Sequence, residues 1–595
     1  MKKKWIAMLL CISMLSGTIL TGCSGQTNSS GTTVESETAD AGETDAASAE
    51  AENAEADSME ADSVETESAD AVAAESPMIQ ANAGELNVID DKYRTYYEVF
   101  VYSYYDSDGD GIGDIQGLIE KLDYINDGDD TTTDDLGLNG LWLMPIMPST
   151  TYHKYDVTDY CDIDPEYGTL DDFKQLMEEC HKRDINVIID FVMNHTSSKH
   201  EWFTTACEYL KGLDGKEPSE SECPYFGYYN FSKEQEAGYY YQVPGTDWYY
   251  EGKFWSEMPD LNLENEAVRA EMEKIVDFWL ELGVDGFRLD AAKEYYSDAT
   301  ESNVKVLSWF NDMVKTKKED AYIVAEVWTE VDVYAKYYAS GIDSVFNFAF
   351  ANSDGLIANV VKGMGGYNAA SYGKSVASLE ERFGQYNENY IDAPFYTNHD
   401  LGRSAGYFSG DNAEAQLKMS AALNLFMNGS AFVYYGEELG MKGSGKDENK
   451  RAPMYWSQDA EAEGMCDGPK DMEAFEMKYP SLEEQKADSN SIYNFYKQAV
   501  LLRNRYPEIA RGTVTYLEEL SDKNVCVLMK EYEGSKILLV FNISGEEAVV
   551  DLTGAIDGVD AAKLQLGGML VTGEEAVELG NTGLVLPSYS VAILK

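Results

Sequence analysis

From about residue 95 the chain alternates short apolar segments with amphipathic ones eight times, and this rhythm restricts the fold more than any other feature. The apolar segments are YEVFVYSY (97–104), GLWLMP (140–145), NVIIDFVMNH (186–195), VDGFRLDAA (284–292), AYIVAEVW (321–328), SVFNFAF (344–350), APFYTNHD (393–400) and SAFVYYGEE (430–438). Between them, stretches such as DDFKQLMEECHKR (171–183) and EAVRAEMEKIVDFWLEL (266–282) carry apolar residues at spacings of three and four, the period of a helix with one buried face. Eight β-then-α units predict a closed parallel (β/α)8 TIM barrel. The third and fourth strands lie unusually far apart, so residues 196–262 are expected to form an inserted subdomain on the rim. The barrel would then occupy 86–195 and 263–510. After 510 the pattern changes to short alternating runs such as VCVLMK and KILLVFNI, which predict a C-terminal antiparallel β-sandwich over 511–595.

The N-terminus does not belong to this pattern. MKKKWIAMLLCISMLSGTILTGC pairs a lysine-rich start with an apolar run and small residues before Cys23, the form of an export signal over 1–22. The ending Leu20-Thr21-Gly22-Cys23 resembles a bacterial lipobox. That resemblance implies cleavage before Cys23, a lipid on its sulfur, and an exported chain anchored to the extracellular face of the cell membrane. Residues 24–80 hold 15 acidic residues and no lysine or arginine, so 23–85 reads as a disordered acidic tether.

The whole chain carries a formal charge of −62. A surface this acidic repels polyphosphates and argues against nucleic acid as a partner, while leaving a neutral substrate open. The cysteines form no CxxC pair, which argues against a zinc site.

Charged groups cluster where the barrel strands should end. Strand three ends in Asp190 and Asn194-His195, strand four in Arg288 and Asp290, strand five in Glu326, and strand seven in Asn398-His399-Asp400. Active sites of such barrels lie at that end. One buried ion pair would account for one cluster, but four converging clusters cost too much to be purely structural. The segments DFVMNH, GFRLDAAKE, AEVW and FYTNHD, with MPDLN (258–262) as a fifth, closely resemble the ordered signature regions of the α-amylase family, glycoside hydrolase family 13. The overall likeness is greatest to the group intermediate between neopullulanases and oligo-1,6-glucosidases.

The resemblance implies a role for each matched residue. Asp290 would be the nucleophile, Glu326 the general acid/base and Asp400 the third carboxylate, with Arg288 holding Asp290 as an anion. His195 and His399 would hydrogen-bond the reactive sugar. In YHKYD (152–156), Tyr155 would stack under the ring, with His153 and Asp156 beside it. Lys293 would contact substrate, although Glu294 stands where many relatives have histidine, which puts the leaving-side contacts in question. Asp447 and Arg451 would grip substrate as a pair, with Glu448 competing for the acidic role. A poor leaving group must be protonated as its bond breaks while a carboxylate meets the nascent cation, and in a retaining enzyme the two carboxyl groups lie about 5–5.5 Å apart.

In DSDGDGIGD (106–114), hard oxygens alternate with glycines, a pattern suited to Ca²⁺. Asp106, Asp108, Asp110, Asp114 and the carbonyl of Ile112 are the expected ligands; the alternative is an acidic turn without metal. The tyrosine-rich insertion is expected to line a sugar cleft. The implied activity is hydrolysis of α-1,4 bonds in starch and maltodextrins by a monomer. A neopullulanase-like or exo-acting α-glucosidase with transglycosylation stands second, and a non-catalytic carbohydrate-binding lipoprotein third.

Overall fold

The computed structural model describes residues 76–84, 89–129, 131–297, 299–554, 556 and 558–595. The signal, Cys23 and most of the acidic tether lie outside them. Among the described residues no helix is long and apolar enough to cross a membrane.

Seven strands form one parallel sheet: β1 (Thr95–Val99), β2 (Gly140–Leu143), β3 (Asn186–Phe191), β7 (Gly286–Leu289), β8 (Tyr322–Ala325), β9 (Ser344–Val345) and β10 (Ala431–Tyr434), with β10 paired to β1. The eighth stave is the expected seventh strand, and it does not form a regular ladder. Single parallel bridges, Phe346 to Ala393 and Phe395 to Phe432, close the ring there. Pro394 interrupts this stretch; it has no N–H to donate, so a continuous ladder cannot run through it.

Side chains alternate in and out along each strand, and the inward positions change character from bottom to top. The lower interior is aromatic and aliphatic: Tyr96 stacks between Tyr322 and Phe432, with ring centroids 5.2 and 5.0 Å away, and Trp142, Ile188, Val324 and Phe346 fill the same cluster. Two residues further along the same strands stand Glu98, Asp190, Arg288 and Glu326. The barrel is therefore a packed plug with a polar upper layer. Gly286 is required by this packing, because a Cβ there would lie 1.9 Å from the Tyr322 carbonyl oxygen.

Helices cover the outside. The one at Leu170–Lys182 starts with a capping box between Thr169 and Asp172 and buries Phe173, Leu176, Met177 and Cys180. The insertion contributes a small antiparallel sheet of β4 (Phe231–Ser232), β5 (Tyr240–Gln242) and β6 (Tyr249–Glu251). Most of its rings pack on one another: Phe203 touches Tyr229 and Tyr250, and Phe226 touches Phe231 and Trp248. The expectation that these rings line a cleft is thus corrected for most of them, since they form the insertion's own core.

The C-terminal part carries two antiparallel sheets. The larger is ordered β11 (Thr513–Tyr516), β12 (Val525–Tyr532), β13 (Ser535–Asn542), β18 (Ser590–Leu594), β15 (Leu566–Leu570). The smaller is ordered β14 (Ala548–Asp551), β17 (Gly583–Leu586), β16 (Glu578–Leu579). The end of the expected tether also folds. Residues Pro77–Asn82 form a helix in which Met78 and Asn82 are buried, and the Asn82 side chain bonds Gln498 and both backbone groups of Met569. One apolar residue and one well-partnered amide suffice to dock what composition alone assigns to the tether. The six described cysteines are all free.

Candidate active site

One guanidinium organises the mouth of the barrel. Arg288 projects inward from β7 and is almost completely buried. Its Nη1 donates to Asp190 at 2.8 and 2.9 Å and to Asp290 Oδ1 at 2.7 Å, and its Nη2 donates to Glu326 Oε2 at 2.7 Å. Asp290 and Glu326 are therefore held side by side on neighbouring nitrogens of one rigid fork. They are not fully enclosed: 10% of the Asp290 side chain and 13% of that of Glu326 remain exposed, against none of Asp190. Ala291, directly after Asp290, takes a left-handed φ of 46°, and its amide donates to Glu326 Oε2 at 3.0 Å. Such strain in a non-glycine residue is characteristic of functional sites.

The protonation states diverge across this small space. Burial lifts the Glu326 carboxyl to about 7; Arg288 opposes the rise while Asp290 and Asp400 add to it. Asp190 is likewise lifted to about 7 by burial, against the pull of Arg288. Asp400 goes the other way. Burial would raise it, but the charge and hydrogen bond of His399, followed by Arg451, hold its carboxyl well below the usual carboxylate range. Burial disfavours a charged His399, yet Asp400 and Glu98 outweigh it and raise the imidazole to about 9. His399 sits 2.5 Å from Glu98 through Nδ1 and 3.2 Å from Asp400 through Nε2. A carboxyl that keeps its proton near neutrality beside a firmly ionised one is the arrangement acid-assisted bond cleavage needs.

The remaining expected residues divide into those that reach the mouth and those that do not. The Tyr155 hydroxyl lies 2.8 Å from His399 Nε2 and donates to Asp190 at 3.0 Å, and its ring stacks on the imidazole with centroids 5.6 Å apart. His195 is buried beside Asn194, and its Nε2 has no partner among the described residues; burial lowers its pKa. His153 accepts from the Tyr155 amide at 3.1 Å, and burial, aided by Arg451, pushes it down to about 4. Arg451 turns inward to Asp400 Oδ1 at 3.3 Å and to the Tyr152 hydroxyl at 2.9 Å.

Asp447 does not pair with Arg451. It lies on the exposed side of a short turn of helix and binds Lys450 at 2.8 Å. Asp156 also departs from its expected role. It is fully buried and accepts from Ser149 and Thr151 at 2.5 Å, from Thr150, and from Ser197 at 3.2 Å, so it locks the loop that presents Tyr155 instead of facing a ligand. Lys293 binds Glu294 at 3.4 Å.

In the acidic loop, carboxylate oxygens of Asp106, Asp108 and Asp114 come within 4.8 Å of one another, while Gly109 and Gly111 supply the positive φ the turn requires. Asp110 stands apart from this group and accepts the Ile112 amide at 2.8 Å. A hard cation fits the three converging carboxylates.

Three residues at the mouth had no role in the sequence reading: Glu98, Asp190 and Tyr152. Asp190 was visible as part of DFVMNH, and its inward register on the strand was the available signal. Glu98 sits at an inward position of the first strand, but its partner His399 is 301 residues away.

Comparison with known proteins agrees with this geometry. A model of the alpha amylase catalytic domain matches residues 98–512. The chain belongs to the α-amylase family. Alpha-amylase 3 of Dictyoglomus thermophilum is 38% identical over 478 residues, spanning 79% of this chain and 88% of that protein. The solved structure of Eubacterium rectale Amy13B matches with a TM-score of 0.84 at 54% identity, covering 87% of this chain and 99% of that one. An oligo-1,6-glucosidase of Parageobacillus thermoglucosidasius is 28% identical over 551 residues, spanning 78% of this chain and 92% of that protein. The chain is therefore a glycoside hydrolase of this family, and its relatives carry more than one specificity.

Proposed function

We propose that this α-amylase family member hydrolyses internal α-1,4 bonds of starch and maltodextrins by double displacement, with retention of configuration. The observation that carries the proposal is the Arg288 fork, which sets Asp290 beside a Glu326 whose carboxyl burial lifts to about 7. Asp290 attacks the anomeric carbon while Glu326 protonates the departing glycosidic oxygen, leaving a glucosyl ester on Asp290. Glu326, now ionised, takes a proton from water as that water opens the ester. Asp400, held ionised by His399 and Arg451, grips sugar hydroxyls and stabilises the positive charge that develops on the ring. His195 Nε2, Tyr155 and His399 surround the same sugar.

Retention of all three carboxylates disfavours a binding protein that has lost catalysis. Digestion of amylose should release α-anomeric maltooligosaccharides in the first-formed product by NMR; a β-anomer would refute the mechanism. Pullulan or isomaltose cleaved faster than amylose would instead favour the neopullulanase-like or α-glucosidase reading.

The same proposal includes an exported monomer anchored by a lipid on Cys23. Cys23→Ser should move activity from the membrane fraction to the medium, and unchanged fractionation would count against the anchor. It also includes Ca²⁺ held by Asp106, Asp108 and Asp114, where the ion would neutralise their converging charge and fasten the loop after β1. Chelation should lower the melting temperature and Ca²⁺ should restore it; no shift in either direction would mean an acidic turn without metal.

A further inference from the structure

We infer that Phe254 and Trp255 form a docking platform for the α-glucan chain outside the reactive subsite, and that Glu294 is the positioning residue that fastens this platform to the catalytic barrel. The inference deepens the proposed function and rests on that reading.

Phe254 and Trp255 are 50% and 48% exposed, in an insertion whose other rings mostly pack into its own core. Their exposure is not due to a loose loop. The Gly252 amide donates to the Tyr239 carbonyl at 2.9 Å, the Met258 amide to the Trp255 carbonyl at 2.9 Å, and the Lys253 amide to Asp260 Oδ2 at 2.9 Å. Asp260 in turn accepts from Asn194 at 3.1 Å. The platform is continuous with the catalytic centre, because the Phe254 ring centroid lies 5.3 Å from that of His195. Two flat apolar faces held open to solvent, the first of them against His195, suit the C–H faces of pyranose rings, and the occupant they fit is the glucan extending from the mouth.

Glu294 joins this segment to the barrel. It stands four residues after Asp290 and retains 16% of its side-chain exposure. One oxygen meets Lys253 of the insertion at 3.1 Å and the other meets Lys293 of the barrel loop at 3.4 Å. Its amide donates to the Ala291 carbonyl at 2.8 Å, so the carboxylate is referenced directly to the strained turn that follows Asp290. Removing its charge takes from Lys253 and Lys293 the one carboxylate they share across the junction between insertion and barrel. The rim segment carrying the two rings would then shift while the Arg288 fork stays in place.

The test is kinetics against substrate length, on maltoheptaose and on the short substrate maltotriose, both of which carry α-1,4 bonds. Phe254→Ala and Trp255→Ala should each raise KM for maltoheptaose about five- to tenfold, with kcat on the short substrate changed by less than about twofold. Glu294→Gln should raise the same KM about threefold, and Glu294→Asp should restore most of it, a pattern that general loosening of the fold would not produce. Binding of maltoheptaose in an Asp290→Asn background should weaken in parallel. Unchanged KM and affinity for maltoheptaose in all three variants, with turnover intact, would overturn the platform alone. Wild-type protein that cleaves neither substrate and no amylose would overturn the reading of function on which it stands.

Discussion

Two regions of this molecule bury cations, and they treat them differently. At the barrel mouth Arg288 meets three carboxylates, Asp190, Asp290 and Glu326. At the seam between the barrel and the C-terminal sheets, Arg503 donates to the carbonyls of Leu425 and Met427 at 2.6 and 2.7 Å and to that of Gly429, and Lys530 donates to Phe426, Asn428 and Ile509 at 2.8, 2.7 and 2.5 Å. The acceptors at the seam are neutral oxygens. Burial pushes Lys530 well below its ordinary value and lowers Arg503 to about 9, and both side chains act as staples for the 425–429 turn. At the mouth burial lifts Glu326 and Asp190 to about 7 against the pull of Arg288, while His399 and Arg451 hold Asp400 well below the usual carboxylate range, an imbalance of protonation that the seam lacks. Reactivity follows from that imbalance together with partial exposure, since burial of charge is common to both regions.

The contrast can be broken by removing one cation at a time. Arg288→Met strands three carboxylates, and should cost about 3–5 kcal/mol of stability by denaturant unfolding and on the order of 10³-fold or more in kcat/KM. If activity survives, the fork is not the organising element. Glu326→Gln keeps the shape but removes the acid. It should lower kcat by about 10²–10⁴-fold. The wild-type enzyme needs this carboxyl protonated, so its rate should fall as pH rises through about 7; that alkaline limb should disappear in the residual activity of the variant. A limb that persists would assign it to another group, with Asp190 the nearest alternative because burial lifts it to about 7 as well. At the seam, Lys530→Met should cost about 1–3 kcal/mol through stranded carbonyls and leave kcat within about twofold. A large loss of turnover there would show that the two regions are coupled.

Much of the site was legible because barrel chemistry places reacting groups at strand ends with a two-residue alternation. Arg288 and Asp290, one inward step apart, already specify a shared face, and Glu326 and Asp400 follow from the same rule on other strands. What was hidden depends on contacts that no local pattern encodes. The donors to Asp156 come from Ser149, Thr150 and Thr151 and from Ser197, 41 residues on, so a carboxylate beside Tyr155 looked available when it was already saturated. Arg451 and Asp447 are spaced for one helical face, but the helix stops at Lys450 and the arginine leaves that face for Asp400. Pro394, within the expected seventh strand, is the local signal that limits it to isolated bridges. The docked helix at Pro77–Asn82 has no local signal, because its anchors, Gln498 and Met569, lie more than four hundred residues away.

The most direct test of the Arg288-organised pair is to trap the intermediate. The protein would be incubated with a slow fluorinated α-glucosyl fluoride, digested with protease, and its peptides read by mass spectrometry. The account predicts one glucosyl adduct, on Asp290. An adduct on Asp190 or Asp400, or turnover of the reagent with none on Asp290, would contradict it.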